Sequence, residues 1–205
     1  MGFGTEKQKS GNSLSCLILA AGFGSRLKNI GVKPLLPCRE KAFLQIVVEN
    51  ALQADLFPIV SITNQSNQAA IKKLNLPTEI LLNEKPEQGM FSSIRIGVQY
   101  LHKISSGILI APVDYPLVKS ATYQALAREF KDNPNSIIIP SLEKKSGHPV
   151  IIPEWLFSEI LQKKPASTLR EIVSENRKRI RYAEVSDAGI LLNINSEAAY
   201  WKNCQ

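Results

Sequence analysis

The stretch CLILAAGFGSRLKNIGVKPLLP, residues 16–37, decides how the rest of this sequence is interpreted. A short apolar run typical of a buried strand ends at small residues and glycines, and then Arg26 and Lys33 follow. In a parallel α/β sheet such a loop opens at the carboxyl ends of the strands, where ligands bind. Glycines let backbone N–H groups approach a ligand closely, and the two cations can neutralise anionic oxygens. The stretch therefore predicts a cradle for the phosphates of a nucleotide.

The loop matches neither of the two commonest phosphate-binding motifs. GFGSRL lacks the third glycine of G-x-G-x-x-G, and the Gly-Lys-Ser/Thr of a P-loop is absent. Taken alone, the loop is explained equally well by a glycine-rich turn with a surface arginine.

Strand and helix patterns alternate along the first two thirds of the chain. Apolar, β-branched runs predict buried strands at 16–20, 57–63, 79–83, 107–113 and 136–141. Helical spacing of apolar residues predicts helices at 42–55, 66–75, 92–104 and 119–132. This order predicts a Rossmann-like, three-layer α/β/α fold with a mostly parallel sheet.

Beyond residue 140 the pattern becomes less regular. We predict strands at 148–153, 179–185 and 190–194, and helices at 154–162, 167–176 and 196–202, the last of them capped by Ser196. Because no linker divides the chain, we expect one domain over residues 14–205, preceded by a flexible polar tail over residues 1–13.

The net charge of +7 and a pI near 9.3 favour anionic partners. Nucleic acid, a membrane surface and phosphorylated small molecules all fit that charge. The basic residues are mostly dispersed, and the cluster RKRIR at 177–181 is typical of a solvated surface. We therefore expect no nucleic acid and no membrane as partner.

The three cysteines, Cys16, Cys38 and Cys204, are odd in number and lack C-x-x-C spacing. They predict neither a disulfide framework nor a zinc site. The polar N-terminal residues also lack the apolar run of a signal peptide. On these grounds we expect a cytoplasmic protein.

Two further segments place polar groups at the same edge of the sheet. In EQGMFSSIRIGV, residues 87–98, Gly89, Ser92 and Ser93 mark the start of a helix, although an ordinary serine cap explains them as well. In LIAPVDYPLV, residues 109–118, Asp114 directly follows a strand. A carboxylate beside a phosphate site is a natural ligand for Mg²⁺.

Six segments together resemble the MobA-like nucleotidyltransferases, and within them most closely the molybdenum cofactor cytidylyltransferases. They are LAAGFGSRL…KPLLP, GMFSSIRIGV, APVDYPLV, SGHPVIIP, STLREIV and LLNINSEAAY, in that order, over nearly all of residues 14–203. The resemblance implies a fold like that of the nucleotide-diphospho-sugar transferases. It also implies transfer of a nucleoside monophosphate from its triphosphate to a phosphorylated acceptor, with release of pyrophosphate.

The resemblance also implies roles for individual residues. Arg26 would hold the β and γ phosphates, Lys33 would neutralise charge at the α-phosphorus, and Asp114 would hold Mg²⁺. His148 would face the acceptor, although a role in fixing its loop fits equally well. The nucleotide pocket would be lined by Leu19, Ala20, Ala21, Gly22, Gly24, Ser25, Gly89, Met90, Ser92 and Ser93.

Three features depart from the pattern of this group. Asn193 and Asn195 stand where Asp-Ile-Asp is typical, so these two predicted metal ligands bring no negative charge. Phe91 stands where relatives often have a small residue, and the spacing from Arg26 to Lys33 is longer than usual.

The segment LAAG resembles the cytidylyl branch, whereas guanylyl relatives show LAGG, so CTP is favoured over GTP. Molybdopterin and a sugar or polyol phosphate remain open as acceptors. The resemblance also implies transient contact with a molybdenum enzyme or chaperone. A non-catalytic nucleotide-binding protein that has lost metal charge, and a basic nucleic-acid-binding protein, remain as alternatives.

Overall fold

A computed structural model describes residues 13–27, 29–164 and 166–204 of the chain. The strands are β1 (Leu14–Leu19), β2 (Pro37–Cys38), β3 (Lys41–Ala42), β4 (Ile59–Thr63), β5 (Glu79–Leu82), β6 (Gly107–Pro112), β7 (Ile137–Leu142), β8 (Lys145–Ser146), β9 (Val150–Pro153) and β10 (Ile180–Glu184). The helices are α1 (Phe43–Gln53), α2 (Gln65–Lys72), α3 (Met90–Leu101), α4 (Ser120–Asp132), α5 (Trp155–Gln162), α6 (Leu169–Glu175) and α7 (Glu197–Asn203). Apart from Ser13, the predicted tail lies outside the described residues.

Eight strands form the main sheet, in the order β10-β7-β9-β6-β1-β4-β5, with β8 paired to β7. Strand β1 lies in the middle, parallel to β4 on one side and to β6 on the other. Strand β9 runs antiparallel to both β6 and β7. The predicted mostly parallel sheet is confirmed, and the carboxyl ends of β1, β4 and β6 meet at one edge.

The sheet is covered by helices on both faces, which gives the predicted three layers. Cys16 and Ile18 of β1 pack into the cluster that contains α1, α4 and α7, and Leu17 and Leu19 pack into the cluster that contains α3 and α5. Successive side chains of a strand point to opposite faces, so β1 contributes to both cores. Each such buried aliphatic side chain contributes roughly 1.5–3 kcal/mol.

Helix α3 packs directly against β1 at Gly97. A β-carbon at Gly97 would collide with the side chain of Leu17 in β1. This close approach brings the first turn of α3 to the edge where β1 and β6 end, next to the glycine loop.

The strand predicted at 190–194 is wrong. Residues Ala188–Leu191 form a 3₁₀ turn, and the backbone of this segment bonds to loops instead of to the sheet. The Ile190 carbonyl accepts from the His148 N–H at 3.0 Å, and the Ile194 N–H donates to the Asp114 carbonyl at 2.8 Å. The predicted cap is confirmed, because the Ser196 side chain accepts from the Ala199 N–H at the start of α7.

The cysteines, for which the sequence predicts no disulfide framework, do form one disulfide. Cys38 and Cys204 form a disulfide with their Cα atoms 4.3 Å apart, and Cys16 is a buried free thiol. Helix α7 returns the end of the chain to the β2–β3 hairpin, where the Arg39 N–H donates to the Cys204 carbonyl at 3.1 Å. A pairing across 166 residues leaves no local spacing pattern, so the sequence does not reveal it.

Candidate functional site

A cavity of about 210 Å³ lies at the carboxyl ends of β1 and β6, under the glycine-rich loop. We call it the glycine-loop cavity. Its wall contains Leu19, Ala20, Ala21, Gly22, Lys33, Pro34, Pro86, Gly89, Met90, Ser93, Pro112, Val113 and Asp114. The structure thus brings together nine of the residues predicted from sequence for the nucleotide pocket and its chemistry: Leu19, Ala20, Ala21, Gly22, Lys33, Gly89, Met90, Ser93 and Asp114.

Lys33 and Asp114 form an ion pair in the wall of this cavity. The Nζ of Lys33 lies 3.4 Å from Oδ2 of Asp114, and the two side chains are only 15% and 17% exposed. A pair that is this far removed from water is screened less than a surface pair. An anionic ligand that entered the cavity would therefore compete with Asp114 for the Lys33 ammonium group.

Asn193 and Asn195 flank Ile194, whose backbone forms a hydrogen bond to the Asp114 loop. The Ile194 N–H donates to the Asp114 carbonyl, so the segment 193–195 lies beside that loop. The Oδ1 atom of Asn193 is buried and has no hydrogen-bond partner among the described residues. A buried oxygen atom without a hydrogen-bond partner destabilises the folded state, and a bound ligand such as a metal ion would remove that cost. Together with the Asp114 carboxylate, it supplies the type of oxygen that Mg²⁺ prefers.

The remaining part of the glycine loop lies outside the cavity wall. Ser25 and Arg26 are exposed in a 3₁₀ turn, Ser25–Leu27. Gly24 has φ +58°, and a β-carbon there would lie 3.3 Å from the Lys33 Cβ. Both the left-handed conformation and the close contact favour glycine at this position. The glycine loop therefore passes close to Lys33 here.

Two buried asparagines that sequence reasoning missed hold this site in place. Asn64 donates to the Ala21 carbonyl at 2.9 Å while it caps α2. Asn83 donates to the hydroxyls of Ser92 and Ser93 at 2.8 and 2.9 Å. Each asparagine directly follows a strand, β4 or β5, and that position is the signal by which the sequence could have revealed them.

Ser92 is placed differently from Ser93. Its hydroxyl donates to the Gly89 carbonyl and accepts from Asn83, and its side chain does not line the glycine-loop cavity. Helix α3 begins at Met90, with Gly89 and not a serine as its N-cap. Ser92 therefore stabilises the first turn of α3. Its predicted contact with the nucleotide stays a prediction.

Gly89 adopts a conformation that other residues avoid, with φ +88° and ψ 177°. We expect Gly89→Ala to lower the free energy of unfolding by about 1–3 kcal/mol, because this backbone region is essentially restricted to glycine. Gly22→Ala is the matched control, since a β-carbon also meets open space there and φ is not positive. Urea unfolding of both variants measures the difference, and equal losses would contradict the strain argument.

A second cavity of about 790 Å³ adjoins the first, and we call it the large cavity. The two cavities share Gly89, Met90 and Pro112. Phe91, the ring that departs from the sequence pattern, lines the large cavity and does not enter the glycine-loop cavity. It therefore leaves the glycine-loop cavity clear.

His148 lies in the wall of the large cavity and packs against Tyr115, with ring centroids 4.7 Å apart. Burial lowers the pKa of His148, while the nearby Asp114 charge raises it in partial opposition. The ring is therefore neutral near pH 7. Its Nδ1 atom is buried and has no hydrogen-bond partner among the described residues.

The loop that carries His148 is fixed by a close backbone contact. A β-carbon at Gly147 would collide with the Ile190 carbonyl, to which the His148 N–H donates. The two interpretations of His148 from sequence are thus compatible, because its backbone fixes the loop while its ring faces the cavity.

The described residues contain no group of three or more His, Cys, Asp or Glu side chains that could hold a metal ion. Within the same residues, no helix is long and apolar enough to cross a membrane.

Residues 16–180 match the model of a family described as the MobA-like NTP transferase domain. Nicotine blue oxidoreductase from Paenarthrobacter nicotinovorans is 31% identical over 142 residues, which cover 66% of this chain and 69% of that protein. The bifunctional protein GlmU of Trichlorobacter lovleyi is 26% identical over 196 residues, 91% of this chain but 43% of that protein. The chain therefore spans less than half the length of this GlmU.

Solved structures show the same fold. Rv0371c from Mycobacterium tuberculosis superposes with a TM-score of 0.82 at 22% identity, over 95% of this chain and 98% of that one. Its complex with manganese gives 0.78 at 20% identity, over 95% and 99% of the two chains. Molybdopterin-guanine dinucleotide biosynthesis protein A from Archaeoglobus fulgidus gives 0.68 at 17% identity, over 93% and 96%. The fold is that of the nucleotide-diphospho-sugar transferase-like proteins.

Proposed function

Because the chain belongs to the MobA-like NTP transferase family, we propose that it transfers a nucleoside monophosphate to a phosphorylated acceptor and releases pyrophosphate. The most specific form of the proposal is transfer of CMP from CTP to molybdopterin. One observation carries it: the two cavities meet along Gly89, Met90 and Pro112, and Lys33 and Asp114 line the smaller one. Two substrates can therefore meet beside a cation and a carboxylate.

The chemistry needs positioning and charge neutralisation more than a base. An acceptor phosphate is already ionised, so one of its oxygens attacks the α-phosphorus directly, and the bond from that phosphorus to the bridging oxygen of pyrophosphate breaks. The Lys33 ammonium group would neutralise the negative charge that spreads over the α-phosphate oxygens. Arg26, exposed at the loop, is the proposed contact for the β and γ phosphates.

The residues present fit a divalent cation. Asp114 and the Oδ1 atom of Asn193 are the proposed ligands, with Asn195 on the same segment as a third candidate. A Mg²⁺ ion held there would supply positive charge to the phosphates. The neighbour crystallised with manganese supports a metal of this kind, although it does not distinguish Mg²⁺ from Mn²⁺.

Adding a carboxylate to this segment tests the proposed ligand set. We expect Asn193→Asp to lower the Mg²⁺ concentration that gives half-maximal turnover by about 3- to 30-fold, because charge count tunes the affinity of oxygen sites. Asn176→Asp is the control, since Asn176 ends α6 and lies in neither cavity wall. An unchanged Mg²⁺ dependence in Asn193→Asp would remove Asn193 from the metal site.

Pyrophosphate release tests the activity itself. The protein would be incubated with Mg²⁺ and CTP, GTP, UTP or ATP, each with molybdopterin or with a panel of sugar and polyol phosphates. We expect release with CTP that depends on the acceptor. Release with a different nucleotide would correct the base while keeping the reaction class. Tight nucleotide binding without release for any pair would instead support a non-catalytic, regulatory protein.

An oxidoreductase is a second candidate, because one relative is named nicotine blue oxidoreductase. Asp114 is the one carboxylate among the described residues of the glycine-loop cavity wall, and it is paired with Lys33. The relative that is named as an oxidoreductase is 31% identical to this chain over 142 residues. Oxidation of a reduced nicotinamide dinucleotide in the presence of a reducible ring compound, without pyrophosphate release, would favour this candidate.

Cellular location and protein partners stay proposals. The expectation of a cytoplasmic protein rests partly on the lack of a disulfide framework in the sequence, and the Cys38–Cys204 disulfide removes that argument because disulfides are rare in the cytosol. Transient contact with a molybdenum enzyme or chaperone depends on molybdopterin being the acceptor.

A further inference from the structure

We propose that Cys38 is a site of thiol–disulfide exchange, at which a small anionic thiol opens the Cys38–Cys204 disulfide and thereby weakens binding of Mg²⁺ and nucleotide. The inference rests on the proposed function only for the identity of that ligand. Its structural part is the release of segment 193–197 from the Asp114 loop, which can be measured without any substrate.

The disulfide completes a ring of contacts that passes through the glycine-loop cavity. Lys33 pairs with Asp114, and the Asp114 carbonyl accepts from the Ile194 N–H at 2.8 Å. From there the chain leads into α7, which ends beside Cys204. The disulfide returns to Cys38, which closely follows Lys33 in sequence. Each part of this ring restrains the next, so breaking the covalent link loosens the proposed metal-ligand segment.

Helix α7 depends on its attachments at both ends. It has only seven residues, and a helix that short is not stable on its own. Its noncovalent attachments include the Asn29–Glu197 hydrogen bond, the bond from the Arg39 N–H to the Cys204 carbonyl, and packing of Tyr200 against Phe43. These contacts keep the helix docked after reduction, but less firmly. We therefore expect local opening instead of global unfolding.

Cys38 lies in the wall of a surface cavity of about 600 Å³, which we call the disulfide cavity. The two cysteines are otherwise shielded, since Cys38 is 2% and Cys204 is 4% exposed. Cys204 is not part of this wall. A thiolate that enters the disulfide cavity therefore reaches the bond at the Sγ of Cys38.

The charges of the disulfide cavity favour a thiolate. Among the described residues, its wall contains the basic side chains Arg39, Lys41 and Lys119 and the acidic side chains Glu40 and Glu49. One of the basic groups is paired, because the Nζ of Lys41 lies 2.6 Å from Oε2 of Glu49. The remaining excess of positive charge attracts an anionic thiol and stabilises a thiolate that forms there.

The exchange needs only thiols as reagents. A thiolate attacks the Sγ of Cys38, an S–S bond forms between them, and Cys204 leaves as a thiolate. A second thiolate then attacks the reagent sulfur of this mixed disulfide and releases Cys38. Two reagent thiols are oxidised to one disulfide, and their two protons and two electrons pass to the cysteines. In reducing compartments, disulfides are usually of this transient, redox-sensing kind.

Comparison of the oxidised and the reduced protein tests the inference, at a temperature where circular dichroism confirms that both forms are folded. Reduction with dithiothreitol should speed hydrogen exchange of the Ile194 amide at least about tenfold. It should weaken binding of Mg²⁺·CTP about 5- to 20-fold, and reoxidation should restore both values. Cys16→Ala, which removes the free thiol, should respond like the parent, whereas Cys38→Ala/Cys204→Ala should not respond.

The site of attack and the role of charge are tested with glutathione, an anionic thiol. Early acid quenching of its reaction with the oxidised protein should trap glutathione on Cys38 in at least about tenfold excess over Cys204. Lys119→Glu should slow reduction by glutathione about threefold more than reduction by uncharged dithiothreitol. Lys72→Glu is the matched control, because Lys72 ends α2 and lies outside the wall of the disulfide cavity.

The outcomes separate this inference from the proposed function. Weaker Mg²⁺·CTP binding on reduction, without pyrophosphate release for any acceptor, would uphold the inference and reject the transfer reaction. Pyrophosphate release with equal Mg²⁺·CTP affinity in the two forms would uphold the reaction and overturn the inference. Unchanged hydrogen exchange of Ile194 after complete reduction, or glutathione found mainly on Cys204, would also overturn it.

Discussion

Lys33→Met is expected to reduce kcat by about 100- to 1000-fold, the typical cost of removing one electrostatic contact to a transition state. Methionine keeps the apolar stem that packs in the wall of the glycine-loop cavity but removes the ammonium group. The Nζ of Lys33 lies 3.4 Å from Oδ2 of Asp114, and the lysine side chain is only 15% exposed. Because little water reaches this site, solvent cannot stabilise the transition-state charge in place of the lost ammonium group. Steady-state measurement of acceptor-dependent pyrophosphate release gives the effect directly.

The matched control is Lys72→Met, which removes an exposed lysine at the end of α2 and should leave kcat unchanged. Thermal unfolding of both variants separates a catalytic loss from a folding defect. If Lys33→Met and Lys72→Met had the same kcat as the parent, Lys33 would not act in the reaction. If Lys33→Met lost activity only in proportion to its unfolded fraction, its role would be structural.

Reduction of the Cys38–Cys204 disulfide is expected to lower the free energy of unfolding by about 3–5 kcal/mol. The bond closes a loop across 166 residues, so it restricts the unfolded chain more than a short loop would. For a chain of this size, the loss corresponds to a decrease in Tm of about 10 °C. Calorimetry with and without a phosphine reductant, with thiol content confirmed by mass spectrometry, measures the change.

The double variant Cys38→Ala/Cys204→Ala provides the control, because its Tm should not respond to the reductant. Cys16 does not complicate the comparison, since it is fully buried and burial raises the pKa of its thiol. An equal Tm for the oxidised and the fully reduced parent would show that the pairing adds no stability. A decrease in the Tm of the double variant on adding reductant would show that the reductant acts on a part of the protein other than this disulfide.

The disulfide also has a consequence for the site. Helix α7 begins at Glu197, two positions after Asn195, and the Glu197 side chain accepts from Asn29 at 2.9 Å. At its end, Cys204 is joined to Cys38, which follows the Lys33–Leu35 turn closely in sequence. The proposed metal-ligand segment and the loop with Lys33 are therefore connected at both ends of one short helix.

The strands, the helices and much of the site could be predicted because their signals are local. A buried strand followed by glycines, such as Leu14–Leu19 before Gly22, needs no knowledge of distant residues. The resemblance to MobA-like nucleotidyltransferases is confirmed by the family match, whereas the cytidylyl specificity stays a prediction. Asp114 could be chosen because a carboxylate after a buried strand lies at the ligand edge of a parallel sheet.

The features that could not be predicted depend on contacts between distant segments. The predicted strand at 190–194 fails because Gly147 lets its loop approach the Ile190 carbonyl, which accepts from the His148 N–H, while the Ile194 N–H donates to the Asp114 carbonyl. Asn83 supports Ser92 and Ser93 from the end of another strand, and Tyr115 meets His148 across 33 positions of the chain. None of these contacts leaves a periodic pattern.

By itself, the sequence determined the α/β fold, the glycine loop and the set of residues from which a phosphate site could be built. Hydrophobic periodicity and the steric freedom of glycine act within a few neighbouring residues, so they can be recognised without a structure. Only the tertiary structure decided that Lys33 pairs with Asp114, that the two cavities adjoin, and that Cys38 meets Cys204. These features arise because packing of the helices on the sheet fixes distances between segments far apart in the chain, and side-chain chemistry depends on those distances.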